Sequence, residues 1–260
     1  MCPNCRAFIT TDDKVCPYCD VRVGPPAASR RPSLDTEGFI PSARFTTVVI
    51  LLINAGLYAA TALFSMRMTN GEAVLDVDGQ TLLLFGAKAP EYILAGQWWR
   101  LITAGFIHFG LIHIAFNMYA LWALGTMLED AMGRMRFLVL YMAALLAGSA
   151  GVLIVGGNGI TGGASGAVFG LFGAAAVGLQ RRGVNPLQTS IGTVLILNLV
   201  LTFAIPGISV GGHLGGLIGG AICGYAMFAP PWKRVPTWVV WTTPAAVIVV
   251  SVMASFAVSS

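Results

Sequence analysis

Residues 45–64, 101–128, 137–180, 183–232 and 235–260 contain no Asp, Glu, Lys or Arg. These stretches are 20, 28, 44, 50 and 26 residues long, and a helix needs about 20 apolar residues to cross a bilayer. In lipid the backbone must satisfy its own hydrogen bonds, which a helix does within one segment. The first, second and fifth stretches each hold one span. The third breaks at Gly156-Gly157-Asn158-Gly159 and the fourth at Ile205-Pro206-Gly207, so each holds two. Seven spans are expected. Composition agrees: 10% of residues are charged and 56% are hydrophobic, against about 25% and 45–50% in soluble domains. The 32 glycines suit closely packed membrane helices.

The positions of the charges predict orientation. With the N-terminus inside, the inner side receives Arg6, Lys14, Arg22, Arg30, Arg31, Arg44, Arg134, Arg136, Arg181, Arg182, Lys233 and Arg234; the outer side receives Arg67, Lys88 and Arg100. By the positive-inside rule the N-terminus is cytoplasmic and the C-terminus extracytoplasmic. The net charge of +4 therefore reflects topology, and no nucleic-acid partner is expected. The first forty residues are polar and cysteine-rich, so no signal peptide is expected there. A cytoplasmic, cysteine-rich N-terminal segment without a targeting peptide suggests a prokaryotic plasma membrane.

The chain opens with two Cys-x-x-Cys knuckles, Cys2/Cys5 and Cys16/Cys19, separated by ten residues. Four thiolates suit tetrahedral zinc, and a reducing cytoplasm disfavours disulfides. A structural zinc ribbon over residues 1–23 is expected, with a redox pair or incidental cysteines as alternatives. Residues 24–43 read as a flexible linker, 44–230 as a six-helix core and 231–260 as an appended seventh helix. Cys223, in mid-span, reads as a small apolar filler.

Three segments carry polar chemistry. They are His108 to Asn117 opening the second span, Gly162-Gly163-Ala164-Ser165-Gly166 opening the fourth, and Gly211-Gly212-His213 opening the sixth. Charge counting alone sets these three helix starts at one depth, near the outer face. Gly162, Gly166 and Gly170, and likewise Gly212, Gly216 and Gly220, recur every four residues, and such stripes let two helix backbones approach. Ser165 and His213 adjoin these stripes, so a hydroxyl and an imidazole can meet. Histidine titrates in the range needed to activate a serine. No Asp or Glu occurs in the last five spans, so the pair is expected to work as a dyad. The free N–H groups of a helix N-terminus at Ser165 favour negative charge. His113 and Asn117, four apart, share a face and are suited to donating toward an oxyanion. His108 and His113 lie about 140° apart on a helix, which argues against a metal pair and puts His108 in the loop. Each motif also has a plainer reading: Ser165 as a small packing residue, His213 as a hydrogen-bonded core group, His113 and Asn117 as interhelical glue. Their coincidence at one depth favours catalysis.

Taken together, these residues resemble the rhomboid intramembrane proteases. The resemblance covers roughly 45–230 and includes Trp99-Arg100, His108-x4-His113-x3-Asn117, Gly125-x3-Glu129 with Arg136, Gly163-Ala164-Ser165-Gly166 and Gly212-His213-x2-Gly216. It implies an all-α polytopic fold, a rhomboid-like six-helix core with a seventh helix added. It further implies an endopeptidase that cuts transmembrane protein substrates within the lipid bilayer, near the outer membrane face, with no cofactor for catalysis. Ser165 then resembles the nucleophile and His213 the base. His113, Asn117 and the backbone at Ala164-Ser165 resemble the oxyanion donors, and Glu129–Arg136 a structural ion pair. Phe169 stands where many members carry a tyrosine against the histidine, so packing is expected to orient the ring. A catalytically inactive rhomboid-like protein that binds membrane clients is the alternative; such proteins usually lack the serine or the histidine. A polar cavity beside the dyad is expected. The fifth span, about 189–206, lacks comparable polar groups and is read as a movable gate.

Overall fold

The computed structural model describes residues 4–5, 15–22, 44–69, 75–156, 159–229 and 235–259. The chain divides into two compact units, Met1–Ser42 and Ala43–Ser260. Cys2 and the expected linker, 24–43, lie outside the described residues.

In the first unit the second knuckle is a tight turn. Cys16 N–H donates to Val21 O at 2.8 Å, Asp20 N–H donates to Cys16 O at 3.0 Å, and Val15 bridges Arg22. Asp20 sits at φ 53°, a left-handed conformation that Asp tolerates better than most side chains.

The second unit is helical. Its elements are α1 (Phe45–Met68), α2 (Gly79–Leu84), α3 (Pro90–Leu94), α4 (Arg100–Thr103), α5 (Leu111–Met132), α6 (Arg134–Val155), α7 (Ser165–Arg181), α8 (Ser190–Ala204), α9 (Val210–Met227) and α10 (Thr237–Ser259). Among the described residues extended pairing is limited to three isolated bridges. The seven long helices follow the charge-free stretches and their Gly/Pro breaks, but α5 begins ten residues into 101–128 and runs through Glu129 and Asp130, and α7 begins six residues after Gly159. Four of them, α1, α5, α6 and α10, are long and apolar enough to cross a membrane. The other three, with 17, 15 and 18 residues, are short or, in α9, diluted by glycine. The protein is an integral membrane protein of all-α, polytopic architecture.

The loop between α1 and α5 is built rather than slack. Asp78 caps α2 by accepting from Thr81 N–H at 3.0 Å, and it also accepts from Ser65 Oγ at 2.8 Å. These hydrogen bonds hold its carboxyl below the usual range. Arg100, buried, donates from Nη1 to Leu83 O (2.8 Å) and Ala87 O (2.5 Å), and from Nε to Gln97 (2.7 Å). Its guanidinium lies 4.4 Å from the centre of the Tyr92 ring. Trp98 and Trp99 stay exposed, as aromatic residues do at a membrane interface.

Glu129 departs from its expected pairing with Arg136. Its carboxylate, fully buried near the end of α5, accepts from Thr46 N–H (2.8 Å), Thr47 N–H (2.7 Å) and Thr47 Oγ1 (2.6 Å). It thereby satisfies the open N–H groups and complements the positive end of α1. The ion pair at this end is Arg44–Asp130, 3.1 Å apart and exposed.

Glycine sets the packing of α9, and each of its two stripes serves a different neighbour. A Cβ on Gly216 or Gly220 would collide with the backbone of Gly166 or Gly170 on α7. A Cβ on Gly211 or Gly215 would collide with Gly151 or Ala147 on α6. Gly162 does not belong to the α7 stripe: it precedes the helix, and a Cβ there would lie 2.8 Å from Ile107 O. Gly212, at the top of its own row, faces Ser209 and Val152. Cys223 is buried, as a filler should be.

Candidate active site

Ser165 is the first residue of α7, and Ala164 before it supplies no side-chain cap. The first-turn N–H groups of α7 therefore remain open. The segment leading in is held by its backbone: Gly163 N–H donates to Ala104 O at 2.9 Å, and Ala164 N–H donates to His108 Nε2 at 3.3 Å. His108 is fully buried in the loop before α5. Burial pushes its pKa down to about 3, so the ring is neutral and can accept from Ala164. It fastens the loop, as the sequence suggests, by gripping the residue next to the serine.

His113 lies in the first turn of α5, 5.2 Å from His108 between ring centres. A Cβ on Gly163 would sit 2.9 Å from His113 Nε2 and 3.8 Å from Ser165 Oγ. One atomic position thus reaches both groups, and a side chain at 163 would displace the imidazole. Gly163 also has φ +123°, a conformation that L side chains rarely adopt. Asn117, one turn below His113, donates one amide N–H to His113 O at 2.9 Å, which leaves its second N–H for another acceptor.

His213 arrives from α9. Ser209 caps this helix by accepting from Gly212 N–H at 3.1 Å, which sets His213 in the first turn. The ring stacks on Phe169 with centres 4.0 Å apart and planes 15° apart. Phe169 is four residues after Ser165, on the same face of α7. Serine, phenylalanine and imidazole are therefore neighbours across the glycine-lined seam. Ser165 Oγ makes no hydrogen bond among the described residues.

The partner of His213 is a residue that the sequence reading passed over. Thr202 Oγ1, on α8, lies 2.7 Å from His213 Nδ1, and both groups are buried. The Thr202 hydroxyl donates its single proton to Asn198 O at 2.6 Å. It must therefore accept from Nδ1–H, which leaves the Nε2 lone pair of His213 available as a base. The α8 segment is thus not without polar groups. Asn198 and Thr202, at i and i+4 in the apolar second half of the helix, were the signal that could have found it.

A cavity of about 50 Å³ adjoins Ser165 and is lined also by Lys88, Ser149, Thr161, Gly163 and Ser209. That volume accommodates a few waters, but the histidines and Asn117, for which a polar pocket is expected, do not line it.

In the separate N-terminal unit, the sulfurs of Cys5, Cys16 and Cys19 all lie within 4.8 Å of one another, with Cys5 and Cys16 at 3.6 Å. Thiolates 2.3 Å from a tetrahedral zinc stand about 3.8 Å apart, so this donor set fits that ion.

Comparison with known proteins agrees with the geometry. The Rhomboid domain family model matches residues 95–230, which contain His108, His113, Asn117, Ser165 and His213. The chain is 39% identical over 165 residues to the rhomboid protease GluP of Bacillus subtilis, covering 60% of this chain and 32% of that protein. It is 34% identical over 136 residues to the putative rhomboid protease YdcA of the same organism, covering 50% and 67%. It is 27% identical over 218 residues to the rhomboid protease AarA of Providencia stuartii, covering 72% and 74%. The chain spans 32 to 59% of the length of the first three curated relatives it matches. On the match across residues 95–230, supported by these relatives, the chain belongs to the rhomboid family.

Proposed function

We propose that this protein is an intramembrane serine endopeptidase that cleaves transmembrane segments of other membrane proteins near the outer face, using Ser165 and His213. The observation that carries this reading is the chain Asn198 O, Thr202 Oγ1, His213 Nδ1. It leaves Nε2 basic on a ring stacked one turn from Ser165. The relatives named as rhomboid proteases support it.

In the proposed reaction, His213 Nε2 removes the Ser165 proton as Oγ attacks the scissile carbonyl. Hydrogen bonds of this kind often tighten only with substrate in place, in keeping with the unbonded Ser165 Oγ. Negative charge on the tetrahedral oxygen is met by open N–H groups at the start of α7, by His113 Nε2, and by the second amide N–H of Asn117. The imidazolium then protonates the leaving amine, and water hydrolyses the acyl-enzyme by the same base. Thr202 does for His213 what a carboxylate does in a triad, fixing tautomer and orientation.

Outward placement of this end follows from the charge bias read above, with a cytoplasmic N-terminus. The Cys5, Cys16 and Cys19 cluster, completed by Cys2, would hold a structural zinc in that unit, separate from the chemistry. The test is cleavage of a single-span model substrate in proteoliposomes. Ser165→Ala and His213→Ala should each abolish turnover while the protein stays folded; turnover surviving Ser165→Ala would sink the assignment.

A further inference from the structure

The reaction above leaves unused one buried amine on a residue that lines the same cavity as the nucleophile. Lys88, in the loop between α2 and α3, is 2% exposed. Its backbone N–H and C=O pair with Thr161 at 2.9 and 2.7 Å. This antiparallel bridge ties the loop to the segment that leads into Ser165. Its Nζ donates to Ser149 O on α6 at 2.9 Å. An ammonium has three donors, Ser149 O is its one acceptor among the described residues, and Lys88 lines the same cavity as Ser165.

No carboxylate lines that cavity. From α6 it receives Ser149, from the segment before α7 Thr161, from α7 Ser165 and from the start of α9 Ser209. Ser149 Oγ is spent on Leu101 O at 2.6 Å. Arg100, bonded to the carbonyl of the adjacent Ala87, does not line it, nor do His108 and His113, which approach Ala164 and Gly163 instead. A buried amine without a counter-ion is costly and is more often replaced than kept. Here it belongs to a residue that lines the same cavity as Ser165, whose Oγ is expected to become part of a negatively charged intermediate.

We propose that Lys88 is a positioning residue for acyl transfer, its ammonium making the cavity behind Ser165 favourable to negative charge and orienting the water held there. This rests on the protease reading above. A preorganised cation in a low-dielectric pocket stabilises charge that develops nearby without reorganising. Burial pushes the Lys88 amine down to about 7. Its charge is therefore present below that pH and lost as pH rises through it, so its contribution to turnover falls on the alkaline side.

The test is the pH dependence of kcat and KM for a single-span substrate in proteoliposomes. The wild type should lose turnover with an alkaline midpoint near 7. Lys88→Met should lower kcat at pH 6 by roughly tenfold with KM unchanged, a smaller effect than removing a direct oxyanion donor, and it should abolish the alkaline limb. Lys88→Arg, whose charge does not titrate, should recover more turnover than Lys88→Met and hold it at higher pH. A wild-type profile without an alkaline limb near 7 overturns the inference whether or not the variants fold. So does Lys88→Met with unchanged kcat, or with the limb intact at reduced height. Equal losses in Lys88→Met and Lys88→Arg, accompanied by a lowered unfolding temperature, mean a structural role and overturn it as well. Ser165→Ala, run alongside, reads the protease assignment separately: turnover surviving that change overturns the assignment and, with it, the role given to Lys88.

Discussion

Helices α8 and α9 are consecutive in the chain and touch the same imidazole, yet they are held in opposite ways. The α9 helix is clamped on two sides through glycines, with α7 against one stripe and α6 against the other. Along α8 the buried residues are Gly192 and Thr202, while Leu197, Val200 and Phe203 are among those exposed. Without a hydrophobic drive between helices in lipid, close backbone contact is what makes an interface stiff. The contrast separates two jobs. The α9 seam fixes where His213 is, and α8, through Thr202, fixes which nitrogen carries the proton. The orientation of the base thus depends on a helix with two buried residues among those described.

The contrast breaks most severely at the seam. Gly216→Val pushes a branched side chain into the Gly166 backbone. Overpacking against backbone should cost about 3 kcal/mol or more, read as a large drop in unfolding temperature in detergent with loss of turnover. If the variant melts like the wild type, α9 is not clamped as described. Gly163→Ala comes next. It forces an L residue to φ +123° and displaces His113, a backbone strain of about 1–3 kcal/mol. Turnover should fall by at least about a hundredfold, the scale of losing an oxyanion donor; ordinary kcat in this variant would remove His113 from the oxyanion site.

Thr202→Val sharpens the comparison from the α8 side. It is nearly isosteric and leaves Nδ1 without its acceptor, so kcat should drop roughly 10- to 100-fold, as when an outer-shell partner is removed. Unfolding temperature should barely move, and Thr202→Ser should restore turnover. A stability loss without a kcat loss would make Thr202 merely structural. Smaller still, Leu197→Ala on the exposed face of α8 should change stability by no more than about 0.5 kcal/mol. The smallest effect is expected from a zinc chelator: it should strip the N-terminal unit of metal, measured by elemental analysis, and leave the cleavage rate unchanged.

The helices were legible before any coordinates because lipid imposes a one-dimensional rule: continuous apolar length, interrupted by glycine, proline and charge. The same charge counting placed the starts of α5, α7 and α9 at one depth, and chemistry alone singled out Ser165, His213, His113 and Asn117. What tertiary structure decided were contacts between residues distant in sequence whose types carry no signal by themselves. Glu129 looked like half of an ion pair and caps α1 instead, because the start of α1 offers its buried carboxylate three hydrogen bonds. Gly162 shares the four-residue spacing of Gly166 and Gly170 but falls outside the helix, so its close contact is with Ile107. Thr202 and Lys88 are ordinary letters in an apolar helix and a surface-like loop. Folding buries both, setting Thr202 against His213 Nδ1 and Lys88 in the lining of the cavity that Ser165 also lines.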